Sequence, residues 1–204
     1  MEMSVSISFI DQSHLPQGIS MEDSLESMLM VFENDGVAGE HTAGKNYGGF
    51  FGGGPFSGTD YGYASKNVAH YAFVASGELN YYFPPYSGPK VEGATPHTVW
   101  GELDSITLSG GVDQAGHAVD PLITFTFDLP IYGDVSDGRA NDVHDIVWGL
   151  MNGHVDGLDD AKAGVMSHGG LFGALAQNDM DISMSIADLV GHNFATETDL
   201  ALAA

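Results

Sequence analysis

Val5, Ile7 and Phe9 alternate with Ser4, Ser6 and Ser8, the period of two expected of a strand with one buried face. From Ser20 the period lengthens. Ser20 with Asp23 resembles a capping box, and Leu25, Met28, Leu29 and Phe32 follow at helical spacing, which predicts a helix of about three to four turns. Residues 33–62 are dense in glycine and have little periodicity; ordered loops of this length are usually functional or mobile. Strand-like runs return at 68–76, 77–83, 97–109 and 122–129. In the last, Ile123, Phe125, Phe127 and Leu129 alternate with Thr124, Thr126 and Asp128. Val143, Ile146, Val147, Leu150 and Met151 then repeat at helical spacing behind Asp142, and Gly153 ends the run. Shorter helices are expected at 156–163, 168–177 and 183–190. Strands first and helices last, with one helix inserted early, predict an α+β fold: one domain whose antiparallel sheet is packed on one face by helices.

Composition narrows the function. A chain of 204 residues suits a single domain, and its 11 Phe, 8 Tyr and 2 Trp supply a core. The net charge of −23 comes from 28 carboxylates against 5 Lys and Arg, without a basic stripe. That excludes nucleic acid, whose phosphates need clustered cations, and disfavours anionic membrane surfaces. With no cysteine, disulfides and thiolate chemistry are ruled out, so a metal must be met by His, Tyr, Met or carboxylate. The N-terminal segment MEMSVSISFI lacks the basic and apolar regions of a Sec signal, and no run of about 20 apolar residues follows; the expectation is a protein neither Sec-exported nor inserted in a membrane.

The nine histidines sit in separate segments without HxH or HxxxH spacing, which argues against a classical zinc site. The glycine-rich stretch lacks the GGxGxD period of calcium repeats. No G-x-S-x-G elbow, P-loop or dinucleotide fingerprint is present, and Asp159 with Asp160, or Glu22 with Asp23, read as solvated helix faces; no enzymatic activity is expected. The segment GELNYYFPPYSGPKVEGATPHTVWGELDS is more informative. It predicts a hairpin whose long, proline-rich connection is bracketed by a phenol, Tyr81, and an imidazole, His97. Tyrosine binds ferric haem as the phenolate, and an imidazole that accepts the phenol proton makes it a better ligand. An ordinary aromatic hairpin would also contain such residues, so the segment by itself leaves both readings open.

The segments GPFSGTDYGYAS, ASGELNYYF, HTVWGELDSI, VHDIVWGLMNG and DISMSIADL, with the terminal DLALAA, resemble in their order those of HasA-type hemophores, over most of the chain. The resemblance implies a secreted, extracellular protein of a Gram-negative bacterium that captures haem and delivers it to an outer-membrane receptor for iron acquisition, with host haemoproteins as a haem source. It implies a haem-binding domain over 1–198 and a C-terminal signal at 199–204 read by a type I ABC exporter. It assigns Tyr81 as axial ligand of ferric haem b and His97 as its hydrogen-bond partner. Phe83, Val99, His144 and Met151 are counted with them as haem contacts. Arg139 resembles an arginine near the haem edge that would meet a propionate, or else pairs with a surface carboxylate.

Two features depart from the family pattern. The connection from Tyr81 to His97 is several residues longer, which keeps Tyr82 and Tyr86 open as alternative ligands. The family's second axial His, about five residues beyond a helix-ending Phe, falls here on Val37; His41 is the histidine of that loop, four positions late, and is expected as the second ligand. The competing readings are a secreted acidic adhesin or interaction module on the same scaffold without haem binding, and a secreted hydrolase.

Overall fold

The computed structural model describes residues 4–191; the boundary expected at 198 and the tail at 199–204 lie outside the described residues. Six strands, β1 (Val5–Ile10), β2 (Gly49–Phe51), β3 (Ser57–Ala64), β4 (Ala72–Tyr82), β5 (Thr98–Val112) and β6 (Ala118–Gly133), form one antiparallel sheet in the order β1-β6-β5-β4-β3-β2. The helices are α1 (Leu25–Asp35), α2 (Glu40–Ala43), α3 (Asp142–Met151) and α4 (Gly170–Gln177), with a further helical stretch at 186–191. The α+β expectation therefore holds.

The alternation in β6 buries Ile123, Phe125 and Phe127 against Leu25, Met28, Leu29 and Phe32 of α1 and Val143, Ile146, Val147 and Leu150 of α3 in a single core. The opposite face carries polar ladders instead, such as Thr107 with Thr124 at 2.9 Å and Ser76 donating to Asp60 at 2.6 Å, so it can face water.

Register decides which side chains reach the site. Ser76 pairs with Ser105 but Gly77 with Leu103, leaving Asp104 of β5 unpaired as a bulge. Inward positions on β5 are even beyond it (Ile106, Leu108) and odd before it (Leu103, Val99), while β4 keeps one parity from Phe73 through Leu79. Gly77, at φ +152, is required at the bulge: a Cβ there would strike the Glu102 carbonyl. The two runs expected at 68–76 and 77–83 are thus one strand.

Other boundaries move for local reasons. The true cap of α1 is Ser24, which accepts from the Ser27 amide at 3.1 Å. Asp23 accepts from the Ser20 amide and hydroxyl, each at 2.8 Å, closing a turn before the helix. Asn141, one residue earlier than Asp142, caps α3 by accepting from the His144 amide. Residues 156–163 are not helical: Asp160 accepts from the Lys162 and Ala163 amides and bridges to Val165, which holds the segment as a turn. The glycine-rich stretch 33–62 is partly regular, containing α2, β2 and the start of β3.

Candidate functional site

At the end of β4 and the start of β5, Tyr81 and Val99 are cross-strand neighbours. They form one wall of a cavity of about 550 Å³, within the range of about 300–1,000 Å³ usual for small-molecule sites. His144, Trp148 and Met151 of α3 line a second wall, and His41, Phe50 and Phe56 come from the glycine-rich segment. Of the residues expected at the site, Tyr81, His97, Val99, Arg139, His144, Met151 and His41 all line this one cavity.

The Tyr81 hydroxyl stands 2.6 Å from His97 Nδ1. Burial raises the Tyr81 pKa against a smaller opposing effect of Arg139, and burial, then Arg139, lowers that of His97. The pair therefore rests as neutral phenol and neutral imidazole, with Tyr81 donating and Nδ1 accepting. The longer connection does not separate them. It folds back on β4, with the Val91 amide donating to the Tyr82 hydroxyl at 2.9 Å and the Phe83 amide to Ser87 Oγ at 2.6 Å, and the His97 amide donates to the Tyr82 carbonyl at 2.8 Å. Tyr82 is thereby engaged in the connection and Tyr86 is 71 % exposed; neither lines the cavity. Phe83, expected as a contact, is also set back. Its ring lies 4.6 Å from that of His97 and 6.3 Å from that of Tyr81, packed around the pair because the chain has left the strand.

Arg139 lines the cavity, but its guanidinium is already engaged. Nη1 donates to Asp160 at 2.5 Å, while Nε and Nη2 donate to the Pro96 carbonyl at 3.2 and 3.0 Å. Burial pushes the Asp160 carboxyl up, yet its hydrogen bonds and the Arg139 charge hold it below the usual range. Of the two roles weighed for this arginine, ion pairing is the one occupied, with a buried partner in place of a surface one.

His144 is 4 % exposed, unlike a solvated helix histidine. Nδ1 accepts from the Val99 amide at 3.2 Å, while Nε2 is buried with no hydrogen-bond partner among the described residues. Burial, then Arg139, lowers its pKa to about 3, so the ring is neutral and carries its proton on Nε2. Met151 Sδ lies 3.4 Å from the hydroxyl of the buried Tyr61. His41, on α2, has a buried Nδ1 without a hydrogen-bond partner among the described residues, and burial followed by His97 and Arg139 lowers its pKa. The site thus offers a phenol and unprotonated imidazoles among apolar and aromatic walls, a donor set suited to Fe(III) inside a flat apolar ligand.

Sequence reasoning missed Phe50, Phe56, Tyr61, Trp148 and Lys162 on this wall. Trp148 could have been found, since it lies four residues beyond His144 on one helix face; its ring is nearly parallel to the imidazole. The others come from segments without periodicity. A separate group, Glu33, His154 and Asp156, brings ligand atoms within 4.8 Å of one another, but the Glu33 carboxylate already accepts from the Val155 amide at 2.7 Å.

Residues 3–204 match the family model described as Heme-binding protein A (HasA). The hemophore HasA of Serratia marcescens is 31 % identical over 159 residues, which are 76 % of this chain and 79 % of that protein. Among solved structures, the holo hemophore HasA from Yersinia pestis superposes with a TM-score of 0.65 at 20 % identity, covering 92 % of this chain and 96 % of that one. An apo structure of the same hemophore gives 0.64 at 21 % identity, covering 92 % and 93 %.

Proposed function

The chain belongs to the HasA family of heme-binding hemophores, and on that premise we propose that it captures ferric haem b outside the cell in the cavity between β4, β5 and α3, with Tyr81 as the principal iron ligand. The observation that carries this reading is the 2.6 Å contact of the Tyr81 hydroxyl with His97 Nδ1 on the cavity wall.

The neutral pair sets up the chemistry. Tyr81 would hold the iron as phenolate, and His97 Nδ1 would take the phenol proton along the existing hydrogen bond and keep it directed at the Tyr81 oxygen. The charge of Arg139 favours the phenolate, and its hold on the Pro96 carbonyl keeps His97 in reach. His41 would hold the iron as the second ligand, from an imidazole that burial keeps unprotonated. Val99, Trp148 and Met151 would give the ring an apolar wall, with the neutral imidazole of His144 beside them. With Arg139 committed to Asp160, Lys162 at the rim is the cation left for a propionate.

Delivery to an outer-membrane receptor, host haemoproteins as the source, and export by a type I transporter reading the terminal DLALAA complete the reading. It is tested by titrating the pure protein with haemin. A sharp Soret change saturating at one equivalent, with a ferric EPR spectrum of oxygen and nitrogen axial ligation, is expected. Weak, unsaturable spectra would instead favour an interaction module that does not bind haem.

A further inference from the structure

Glu40 is an acidic residue in a glycine-rich stretch of an acidic chain, yet only 4 % of it is exposed. No Lys or Arg side chain pairs with it among the described residues. Its carboxylate accepts from four donors of β3 and the connection after it: Tyr63 Oη at 2.8 Å, Ser65 Oγ at 2.9 Å, Asn67 Nδ2 at 2.6 Å and the Lys66 amide at 3.3 Å. Neutral donors satisfy a buried carboxylate only where they converge on it, so the arrangement is demanding in geometry.

The other side of the same turn is tied to α3. The fully buried Asn152 takes the Thr42 amide at Oδ1 (3.0 Å) and the Gly39 amide at its carbonyl (2.8 Å), and its own Nδ2 donates to Trp148 O at 2.9 Å. Residues 39, 40 and 42 are therefore each anchored. Between them His41 lines the cavity, with its Nδ1 buried and without a hydrogen-bond partner among the described residues. Successive residues of a helical turn point about 100° apart, so a carboxylate fixed towards β3 directs the next side chain elsewhere.

We propose that Glu40 is the positioning residue of the His41 arm, docking α2 against β3 so that the imidazole stands at the cavity before any ligand arrives. Ordering the arm then belongs to folding and not to haem capture. The inference rests on His41 as the second ligand only for its functional consequence; the docking itself is measurable without haem.

The test compares Glu40→Gln with the double variant Ser65→Ala/Asn67→Ala, which weakens the same contact from the other side, after circular dichroism has established that each is folded. In haem-free protein, amide exchange at Gly39 and Thr42 is expected to accelerate by about tenfold or more in both variants while α3 amides remain protected, the signature of local opening. In stopped-flow mixing with haemin, the wild type is expected to reach its final spectrum in one phase. The variants should keep the Tyr81-ligated spectrum but gain the nitrogen ligand in a separate slower phase, or not at all. Unchanged exchange in both folded variants would overturn the proposal. Accelerated exchange together with a His41→Ala spectrum identical to wild type would keep Glu40 as the anchor and reject His41 as a ligand.

Discussion

Arg139 donates two hydrogen bonds to the carbonyl oxygen of Pro96, the residue immediately before His97. His97 itself has φ +68, a left-handed conformation that costs a non-glycine residue of order 1 kcal/mol and persists only where its surroundings impose it. The guanidinium is part of what imposes it, and the fork geometry that serves Pro96 and Asp160 together is one lysine cannot reproduce. Arg139→Lys is therefore expected to destabilise the haem-free protein by about 1–3 kcal/mol, leaving Asp160 poorly paired, and to weaken ferric haem binding. Urea unfolding and haemin titration check the two effects. A variant as stable and as tight as wild type would remove Arg139 from the support of His97.

The three tyrosines around the hairpin should separate cleanly. On the proposed ligation Tyr81→Phe deletes a metal bond, so it is expected to weaken ferric haem binding far more than either neighbour. Tyr82→Phe loses a hydrogen bond from the Val91 amide and about 1 kcal/mol of stability. Tyr86→Phe, at an exposed ring, should change neither property. Equal loss of affinity in all three would sink Tyr81 as the ligand.

His144 makes the haem-free protein sensitive to mild acid. Its folded pKa of about 3 lies below the ordinary value of 6.5, so the unfolded chain binds this proton more readily. The contribution is complete above pH 6.5 and is lost as pH falls towards 3. Between pH 7 and pH 5 the loss is about 2 kcal/mol, little screened because the ring is buried. His144→Phe should lack this component, so the wild-type and variant unfolding curves, measured at both pH values, should differ in their pH dependence by that amount. Parallel pH dependence would mean that the imidazole is not held neutral in the fold.

A net charge of −23 repels a ligand with two propionates at long range, so coordination and apolar packing must drive capture. Raising the salt concentration should leave the association rate unchanged or increase it. Marked slowing by salt in stopped-flow traces would reveal attractive steering.

The regular parts of the fold were legible because they obey one period each: β1, β6 and the apolar faces of α1 and α3 stand where the alternation and helical spacing put them, except that Phe9, beyond a register shift in β1, and Leu129, near the end of β6, turn out to the solvent. Strand β3 was hidden by Gly58 and Gly62, which carry no hydrophobic signal; Gly62 is needed because Val112 and Phe51 pack where its side chain would be. The false helix at 156–163 failed because Asp160 captures local amides, a competition that periodicity does not register. In the site, Tyr81 and His97 stood out through the resemblance and a hairpin with matching ends. Lys162, Phe50 and Phe56 arrive from irregular segments, and the burial of Glu40 depends on donors more than 20 positions away.

The unpaired residue of β5 has a consequence for how such a pocket could diversify. Because the inward parity changes at Asp104, the stretch from Thr98 to Leu103 is in a different phase from Ile106 and Leu108, so one strand is split into a packed half and a recognition half. Exchanges at Val99, or insertions in the connection before it, can reshape the cavity without moving Ile106 or Leu108 out of the interior. Removing Asp104 would restore a single phase and turn Val99 to the solvent side; the bulge is the hinge of the register on which an adaptable rim and an invariant interior coexist.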